Sequence, residues 1–333
     1  MPTQMRAMVI DGFGGPEVLR DATVERPIAR PGNVVIQVGH CGVNPADWKA
    51  REGWLSSFFD YQFPFVLGFD AAGVVAEIGE GVTGLAVGDR VVTSSNQGLG
   101  ERGTYAEFVA SDADRVVKLP DHIAFSHAAA IPTAAVTAYE AVMDVGQAGP
   151  GKLVLVHGGA GGTGSFAIQI AAVAGARVAT TCSPRNADYV RGLGAELAID
   201  YHTQDVVEAT RAWAPEGVDL VVDTVGQGTL TDAIEAVRRG GIVAPIATLI
   251  GDEPQCDPGR AAELGVSVVP TMSNHLRQGR QLRALVELMA DGRLVAPEIT
   301  TLPLDQVADA HRRIQDGHVR GKIVLAVNEG LGQ

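Results

Sequence analysis

A glycine-rich stretch in the middle of the chain has the residue types and the spacing that hold a dinucleotide. The apolar run Leu153–His157 leads into Gly158-Gly-Ala-Gly-Gly-Thr-Gly164, and an apolar, helix-compatible stretch follows from Ser165. Glycine permits a tight turn and lets a pyrophosphate approach the backbone, and a helix N-terminus supplies N–H groups and partial positive charge. The flanking strand and helix favour a dinucleotide site over an ordinary glycine-rich loop. The predicted pyrophosphate-binding residues are Gly159, Gly161, Gly162, Thr163 and Gly164.

The end of the next predicted strand distinguishes NADPH from NADH. An NAD-dependent enzyme usually has Asp or Glu there, about 20 residues further on, to bind the adenosine ribose hydroxyls. Here the strand ends in Thr180-Thr-Cys-Ser-Pro-Arg-Asn186, which contains no acid. Ser183 and Arg185 can instead donate hydrogen bonds and charge to a 2′-phosphate, so NADPH is the predicted cofactor. The alternative is that Arg185 is only a solvated residue at the start of a helix.

Two secondary-structure patterns divide the chain. Before Pro120, short apolar runs between Gly and Pro residues are typical of an antiparallel, barrel-like β unit. The predicted strands there are Arg6–Ile10, Val34–Val38, Gly73–Ile78, Asp89–Thr93, Tyr105–Val109 and Arg115–Leu119. The stretch Phe125–Val145 is rich in alanine and helix-compatible. From Leu153 onward apolar strands alternate with helices, which predicts an α/β fold with a doubly wound parallel sheet.

Composition excludes several classes of partner. The chain has 333 residues, of which 46% are hydrophobic, and a formal net charge of −13. An acidic protein repels phosphate backbones and anionic lipid, so we expect no nucleic-acid partner and no membrane partner. The three cysteines are far apart, and the first residues are too polar for a signal peptide. We therefore expect a cytoplasmic enzyme whose anionic cofactor is held by local features.

Motifs spread over nearly the whole chain carry a family resemblance. They are Cys41–Lys49, Leu67–Val75, Gly88–Val91, Gly103–Glu107, Ala130–Thr133, Thr137–Tyr139 and the glycine-rich turn. With them the chain resembles the medium-chain dehydrogenase/reductase superfamily, in its zinc-independent quinone oxidoreductase (zeta-crystallin-like) branch. The resemblance implies a GroES-like β-barrel domain over residues 1–123 and a Rossmann NADPH-binding domain over 124–272. It also implies a return segment, 273–333, that completes the first domain, a nicotinamide cleft between the domains, and a homodimer.

The residues at the family's zinc positions predict that no zinc is bound. The zinc alcohol dehydrogenases of this superfamily have Cys where this chain has Asn44, and Gly-His-Glu where it has Gly68-Phe-Asp70. A catalytic zinc needs three N, S or O ligands and an open position. An amide is a poor zinc ligand and a phenyl ring is none, and the stretch Ser94–Thr104 contains no cysteine for a structural site.

Hydride chemistry without a Lewis acid favours particular acceptors. A simple aldehyde is then a hard substrate, because no metal takes up the charge that develops on its oxygen. Quinones and α,β-unsaturated carbonyls spread that charge by conjugation, and hydrogen-bond donors can stabilise the forming enolate or quinolate. We therefore expect an NADPH-dependent quinone or enone reductase, in which the cofactor carries the difficult step.

Candidates for catalysis follow from the motifs. Asn44 resembles the family position that faces the nicotinamide and its ribose, although Asn before Pro45 is also a common turn residue. Lys49 can donate to a substrate oxygen, or it is an ordinary solvated lysine. Tyr61 belongs to an aromatic loop, Trp54–Phe65, that in the family borders the acceptor pocket. The predicted catalytic residues are Asn44, Lys49 and Tyr61.

Further candidates contact the cofactor by resemblance. Thr133 and Thr137 match helix residues beside the nicotinamide, and Tyr201 matches a position near the adenosine phosphate. Arg320 and Lys322 are cations next to Gly321 in a segment that the family places near the cleft. Together with Asn44, Ser183 and Arg185, these residues complete the predicted cofactor site.

Two other functions stay open. An enoyl-type reductase of a biosynthetic pathway would use a thioester or a specialised enone, and the aromatic loop does not separate it from a quinone reductase. A structural or sensory protein would bind NADPH without turning over any acceptor.

Overall fold

The computed structural model describes residues 3–226, 228–246, 255–272, 275–317 and 319–331. It divides into two compact units. Unit 1 comprises Met1–Thr133 and His275–Gln333, and unit 2 comprises Ala134–Asn274. The domain boundaries implied by the family resemblance, after residues 123 and 272, stay a prediction.

The first part of unit 1 is built from short strands separated by glycine- and proline-rich turns. Its described strands are β1 (Gln4–Ile10), β2 (Arg20–Glu25), β3 (Asn33–Val43), β4 (Phe65–Val66), β5 (Asp70–Ile78), β6 (Arg90–Ser94), β7 (Phe108–Asp112) and β8 (Val117–Lys118). Two short α-helices accompany them, α1 (Pro45–Arg51) and α2 (Phe125–Ala128). Helix α1 begins directly after β3 because Pro45, which lacks an N–H, suits a first helical position.

Unit 2 alternates helices and strands. Its described helices are α3 (Ala134–Tyr139), α4 (Gly162–Val173), α5 (Ala187–Gly192), α6 (Val206–Trp213), α7 (Thr229–Ala233) and α8 (Pro258–Leu264). Its described strands are β9 (Leu153–His157), β10 (Arg177–Cys182), β11 (Leu197–Asp200), β12 (Val218–Asp223), β13 (Val237–Pro245) and β14 (Ser267–Val268). Continuous apolar strands such as β9 and β12 are buried on both faces, as in parallel sheets covered by helices.

The described strands of unit 2 form a six-stranded sheet in the order β11-β10-β9-β12-β13-β14. All of its pairs are parallel. Counted from β9, this is the order 3-2-1-4-5-6 of a Rossmann fold, in which the strand order reverses beside the first strand. The predicted doubly wound parallel sheet is therefore confirmed.

The chain returns to unit 1 in its last 59 residues. This return segment contains α9 (His275–Ala290), β15 (Ile299–Pro303), α10 (Val307–Gln315) and β16 (Lys322–Ala326). Strand β16 pairs antiparallel with β3, and Ile323 lies opposite Val43. Because of this register, Lys322 is placed beside Asn44, the first residue after β3.

Two predicted elements are divided or displaced in the structure. The helix-compatible stretch 125–145 is divided into α2, α3 and a π-helical turn, Glu140–Val145, because Pro132 lacks an N–H and disfavours helix before it. The strand predicted over Tyr105–Val109 begins only at Phe108. The backbone N–H of Tyr105 instead donates to the Leu67 carbonyl, and the Tyr105 carbonyl accepts from the N–H of Met8.

None of the helices in the described ranges has the length and apolar composition that a bilayer span requires.

Candidate active site

The glycine-rich turn of unit 2 connects the central strand β9 to α4. Gly158 has a φ of 73°, in the left-handed region that favours glycine. Its N–H donates to Oγ1 of Thr181 at 3.0 Å, and the N–H of Gly159 donates to the Thr181 carbonyl at 3.1 Å. The turn is thus fixed to the neighbouring strand β10, and Gly161 is the residue from which α4 begins.

The three glycines of the pattern, Gly159, Gly161 and Gly164, differ in the space that a side chain would find. A Cβ at Gly159 would lie 2.0 Å from Oγ1 of Thr180, and one at Gly164 would lie 2.2 Å from the carbonyl oxygen of Gly158. A Cβ at Gly161 would meet nothing nearer than 3.5 Å. Packing within the protein therefore demands glycine at 159 and 164 but not at 161, where the open space suits a ligand that approaches the backbone.

The first turn of α4 presents backbone N–H groups that have no acceptor within the helix. Gly162 and Thr163 belong to this turn and are partly exposed. The helix is 12 residues long, so its N-terminus carries partial positive charge toward the turn. This arrangement can bind a pyrophosphate.

The carboxyl ends of β9, β10 and β11 meet at one edge of the parallel sheet. Ser183 follows β10, and its Oγ accepts from Nδ2 of Asn186 at 3.2 Å. Arg185 is exposed and has no hydrogen bond or ion pair with any residue that the structure describes. Tyr201 follows β11, is 44% exposed, and packs against His202 with ring centroids 4.2 Å apart. These side chains therefore lie at the same sheet edge as the glycine-rich turn, whereas Thr137 lies buried in α3.

A second group of polar side chains is buried in unit 1, and we call it the polar cluster. Its members are the buried Asn44, Asp47, Asp70 and Lys322 and the half-buried Thr133. Nδ2 of Asn44 donates to Asp70 at 2.9 Å, and the Lys322 ammonium donates to Oδ1 of Asn44 at 2.5 Å and to the Val43 carbonyl at 2.8 Å. Thr133 donates to the other oxygen of Asp70 at 2.6 Å. Asn44 is 1% exposed, and these hydrogen bonds fix both the Nδ2 and the Oδ1 end of its amide.

Asp47 holds the backbone on both sides of the cluster. Its carboxylate accepts from the N–H of Asn44 at 2.7 Å and from the N–H of Phe69 at 3.2 Å. Burial, with the charge of Asp70, raises the pKa of Asp47 to about 7. Burial also raises the pKa of Asp70 and lowers that of Lys322, although the attraction between these two opposite charges works against both shifts.

Lys322 and Arg320 were both predicted to contact the cofactor, but the structure gives them different surroundings. Lys322 is buried in the polar cluster, whereas Arg320 is exposed and forms an ion pair with Glu298 at 2.5 Å. The donors of Lys322 are used inside unit 1, which indicates a role in holding Asn44.

The predicted catalytic residues Lys49 and Tyr61 lie on and beside α1. The Lys49 ammonium is 5.5 Å from the centre of the Trp48 ring, and the side chain is buried rather than solvated. The hydroxyl of Tyr61 donates to the Ala50 carbonyl at 3.1 Å. The ring of Tyr61 packs within a group of aromatic side chains that includes Phe13, Phe59, Phe63 and Phe65.

Four buried residues of this region were not among the predicted site residues: Asp47, Asp70, Tyr105 and His311. Asp47 was open to detection, since Asn44-x-x-Asp47 has the spacing of a helix cap. Tyr105 and His311 reach this region through contacts of distant segments, which no local pattern reveals. Among the described residues, no three or more His, Cys, Asp or Glu side chains are grouped to hold a metal ion.

Comparison with family profiles identifies two segments. Residues 30–121 match the alcohol dehydrogenase GroES-like domain, and residues 193–325 match a profile described as zinc-binding dehydrogenase. The first match confirms the predicted GroES-like domain.

Whole-chain relatives agree with these profiles. A 2-methylene-furan-3-one reductase of Solanum lycopersicum is 33% identical over 335 residues, which cover 98% of this chain and 80% of that protein. An NADPH-dependent alkenal/one oxidoreductase of Arabidopsis thaliana is 31% identical over 334 residues, with the same coverages. The quinone oxidoreductase of Coxiella burnetii has a similar structure, with a TM-score of 0.82, 31% identity, and coverage of 98% of this chain and 100% of that one.

Fold, motifs and relatives lead to one assignment, and the predicted family is confirmed. The protein is an oxidoreductase that belongs to the medium-chain dehydrogenase/reductase superfamily, in its quinone oxidoreductase branch.

Proposed function

We propose that the protein is an NADPH-dependent reductase that transfers hydride to a quinone or to an α,β-unsaturated carbonyl. The observation that carries the proposal is the turn at Gly161, which has open space over its backbone. Arg185, which pairs with none of the described residues, lies at the same sheet edge. The relatives named above, which reduce a methylene-furanone and alkenals or enones and include a quinone oxidoreductase, support the acceptor class.

Several groups of unit 2 would hold the cofactor. The first-turn amides of α4 would bind the pyrophosphate, with Gly159 and Gly164 shaping the turn and Gly161 leaving space. Ser183 and Arg185 would hold the 2′-phosphate, and Tyr201 would pack near the adenosine. Thr137, buried in α3, completes this part of the proposed site.

Unit 1 would supply the groups beside the reacting atoms. NADPH, when bound, supplies the hydride. Asn44 would orient the nicotinamide end, because Lys322 and Asp70 fix both ends of its amide and Thr133 holds Asp70. Lys49 would donate to the acceptor oxygen. The Tyr61 hydroxyl already donates to the Ala50 carbonyl, so Tyr61 would line an apolar pocket with its ring. Arg320 would contact the cofactor by exchanging its ion pair with Glu298 for a cofactor oxygen.

The preference for NADPH can be tested at Arg185. Replacing Arg185 with Ala should raise the KM for NADPH about tenfold or more, because a charge-assisted hydrogen bond is lost, and should leave the KM for NADH nearly unchanged. Arg177→Ala is the matched control, since Arg177 lies at the opposite end of β10 and pairs with Glu196. Equal effects of Arg185→Ala on the two cofactors would overturn the NADPH assignment.

Substrate class can be tested by NADPH oxidation at 340 nm. A naphthoquinone, a simple enone and an enoyl thioester should be compared at saturating NADPH. Oxidation with the first two supports the proposal. Turnover of the thioester alone would make the protein an enoyl-type reductase, and NADPH binding without turnover of any acceptor would make it a binding protein.

A homodimer and a cytoplasmic location also belong to the proposal. Strand β14 is an edge of the sheet of unit 2, and the exposed apolar residues Val269 and Met272 follow it, which suits pairing with a second copy. Light scattering should give a dimer that Met272→Lys weakens. The three cysteines are free and buried, as is common in a reducing compartment, and cell fractionation checks the location.

A further inference from the structure

A chain of buried hydrogen bonds runs into the polar cluster from α10, and its first member is Arg51. Arg51 is fully buried, and its Nη1 lies 3.1 Å from Nδ1 of His311. A guanidinium can only donate hydrogen bonds. Nδ1 of His311 must therefore carry a lone pair, so a neutral imidazole has its proton on Nε2.

The direction of the remaining bonds follows from that proton. Nε2 of His311 lies 3.2 Å from the hydroxyl of Tyr105, which is fully buried and interacts with the Asp47 carboxyl. Since Nε2–H donates to the Tyr105 oxygen, the Tyr105 hydroxyl is left to donate to Asp47. The carboxylate thus receives three donors, the hydroxyl of Tyr105 and the N–H groups of Asn44 and Phe69.

We propose that Tyr105 and His311 are positioning residues, which form a one-way hydrogen-bond chain from Arg51 that favours the ionised form of Asp47 and so holds Asn44 in place. The proposal rests on the role of Asn44 in the proposed function. Protonation would make the Asp47 carboxyl a weaker acceptor for the three groups that donate to it, the Tyr105 hydroxyl and the N–H groups of Asn44 and Phe69. The direction of the chain therefore opposes protonation of Asp47.

The charges around the chain agree with this direction. Burial, with the charge of Arg51, lowers the pKa of His311 to about 3, so its imidazole is neutral at working pH. Burial and the neighbouring Asp47 raise the pKa of Tyr105, so the hydroxyl keeps its proton.

Asp47 itself is in balance between opposing groups. Burial and Asp70 on β5 raise its pKa, whereas the bonds from Asn44 and Tyr105 and the charge of Lys322 on β16 lower it, with about 7 as the result. The buried thiol of Cys41 on β3 also faces this group, and burial raises its pKa, so it stays neutral. Loss of the Tyr105 bond should therefore raise the pKa of Asp47.

The test is the pH dependence of kcat/KM for NADPH oxidation in the full-length enzyme. If ionised Asp47 is needed, activity should fall below about pH 7 in the wild type. Tyr105→Phe should move this acid limb up by about one to two pH units, and activity should recover at high pH. Tyr139→Phe is the control, since the Tyr139 hydroxyl has no hydrogen bond to any described residue, and it should leave the limb in place.

His311 gives an independent test by rescue. Glutamine offers one acceptor and one donor, as a neutral imidazole does, so His311→Gln should keep the wild-type pH profile. His311→Leu should shift the limb as Tyr105→Phe does. Nitrogen NMR can be carried out on the wild type, so this measurement does not depend on whether a variant folds. It should show His311 neutral with its proton on Nε2 between pH 5 and 8.

The outcomes separate this proposal from the proposed function. A protonated His311, a proton on Nδ1, or an unmoved acid limb in Tyr105→Phe would overturn the chain even if the wild type reduces quinones. A wild type that oxidises no NADPH with any acceptor would overturn the proposed function. In that case the NMR result still decides the direction of the chain.

Discussion

The glycine-rich turn of unit 2 and the polar cluster of unit 1 are built in opposite ways. The turn is seven consecutive residues, and its shape is fixed by backbone angles and by bonds to the next strand. The cluster joins side chains from α1, β5 and β16, and the bond between Lys322 and Asn44 spans 278 positions. The turn therefore depends on which residues have no side chain, whereas the cluster depends on which side chains long-range pairing brings together.

The largest effect should come from removing the one described cation of the polar cluster. Lys322→Met leaves the carboxylates of Asp47 and Asp70 buried without it, and the free energy of unfolding should fall by about 3–5 kcal/mol. The remaining carboxyls should have still higher pKa values in the folded state. Folding of the variant would then be coupled to proton uptake by these carboxyls, which becomes more favourable as the pH falls. The decrease in the free energy of unfolding, measured by urea denaturation, should therefore be smaller at pH 6 than at pH 8.

Arg320→Met is the matched control, because Arg320 lies on the same segment but pairs with Glu298 at the surface. It should change stability by no more than about 1 kcal/mol. If the two variants were equally stable, the cluster would not depend on its buried cation.

A smaller loss of stability should distinguish two glycines of the turn, Gly164 and Gly161. Gly164→Ala places a methyl group against the backbone of Gly158 and should cost about 1–3 kcal/mol. Gly161→Ala meets no close atom within the protein, so it should fold normally but bind NADPH at least tenfold more weakly. Urea denaturation and fluorescence titration with NADPH measure the two properties. Normal NADPH binding by Gly161→Ala would show that the open space is not the cofactor's.

The smallest effect should come from Gln97 in unit 1, which is 1% exposed. Neither polar atom of its side chain has a partner among the described residues. A buried unpaired amide is destabilising, so Gln97→Leu should raise the free energy of unfolding by about 1 kcal/mol. Thermal denaturation measures this change, and a lower melting temperature for Gln97→Leu would contradict the prediction. A gain would show that unit 1, unlike the turn, contains a polar group that its fold leaves unsatisfied.

The same contrast decides what could be predicted from the sequence. Strand β9 was predicted with its observed bounds, because a continuous apolar run that leads into glycines is a local signal. The turn and the order of strands and helices in unit 2 followed in the same way. Asn44 and Lys322 were predicted as separate cofactor contacts, but their hydrogen bond required the pairing of β16 with β3. Tyr105 and His311 were missed because their partners lie up to 260 residues away in sequence.

The return of the chain to unit 1 has a consequence for synthesis on the ribosome. Unit 2 is one continuous segment, 134–274, and it is translated in full before the return segment. Until β16 emerges, positions 40–43 of β3 lack the antiparallel partner on one edge, and Asp47 and Asp70 lack the Lys322 ammonium. The nascent protein therefore carries a finished nucleotide-binding half beside an unfinished one with an open strand edge. Such an edge can pair with other chains, so the last part of translation is the period in which aggregation is most to be expected.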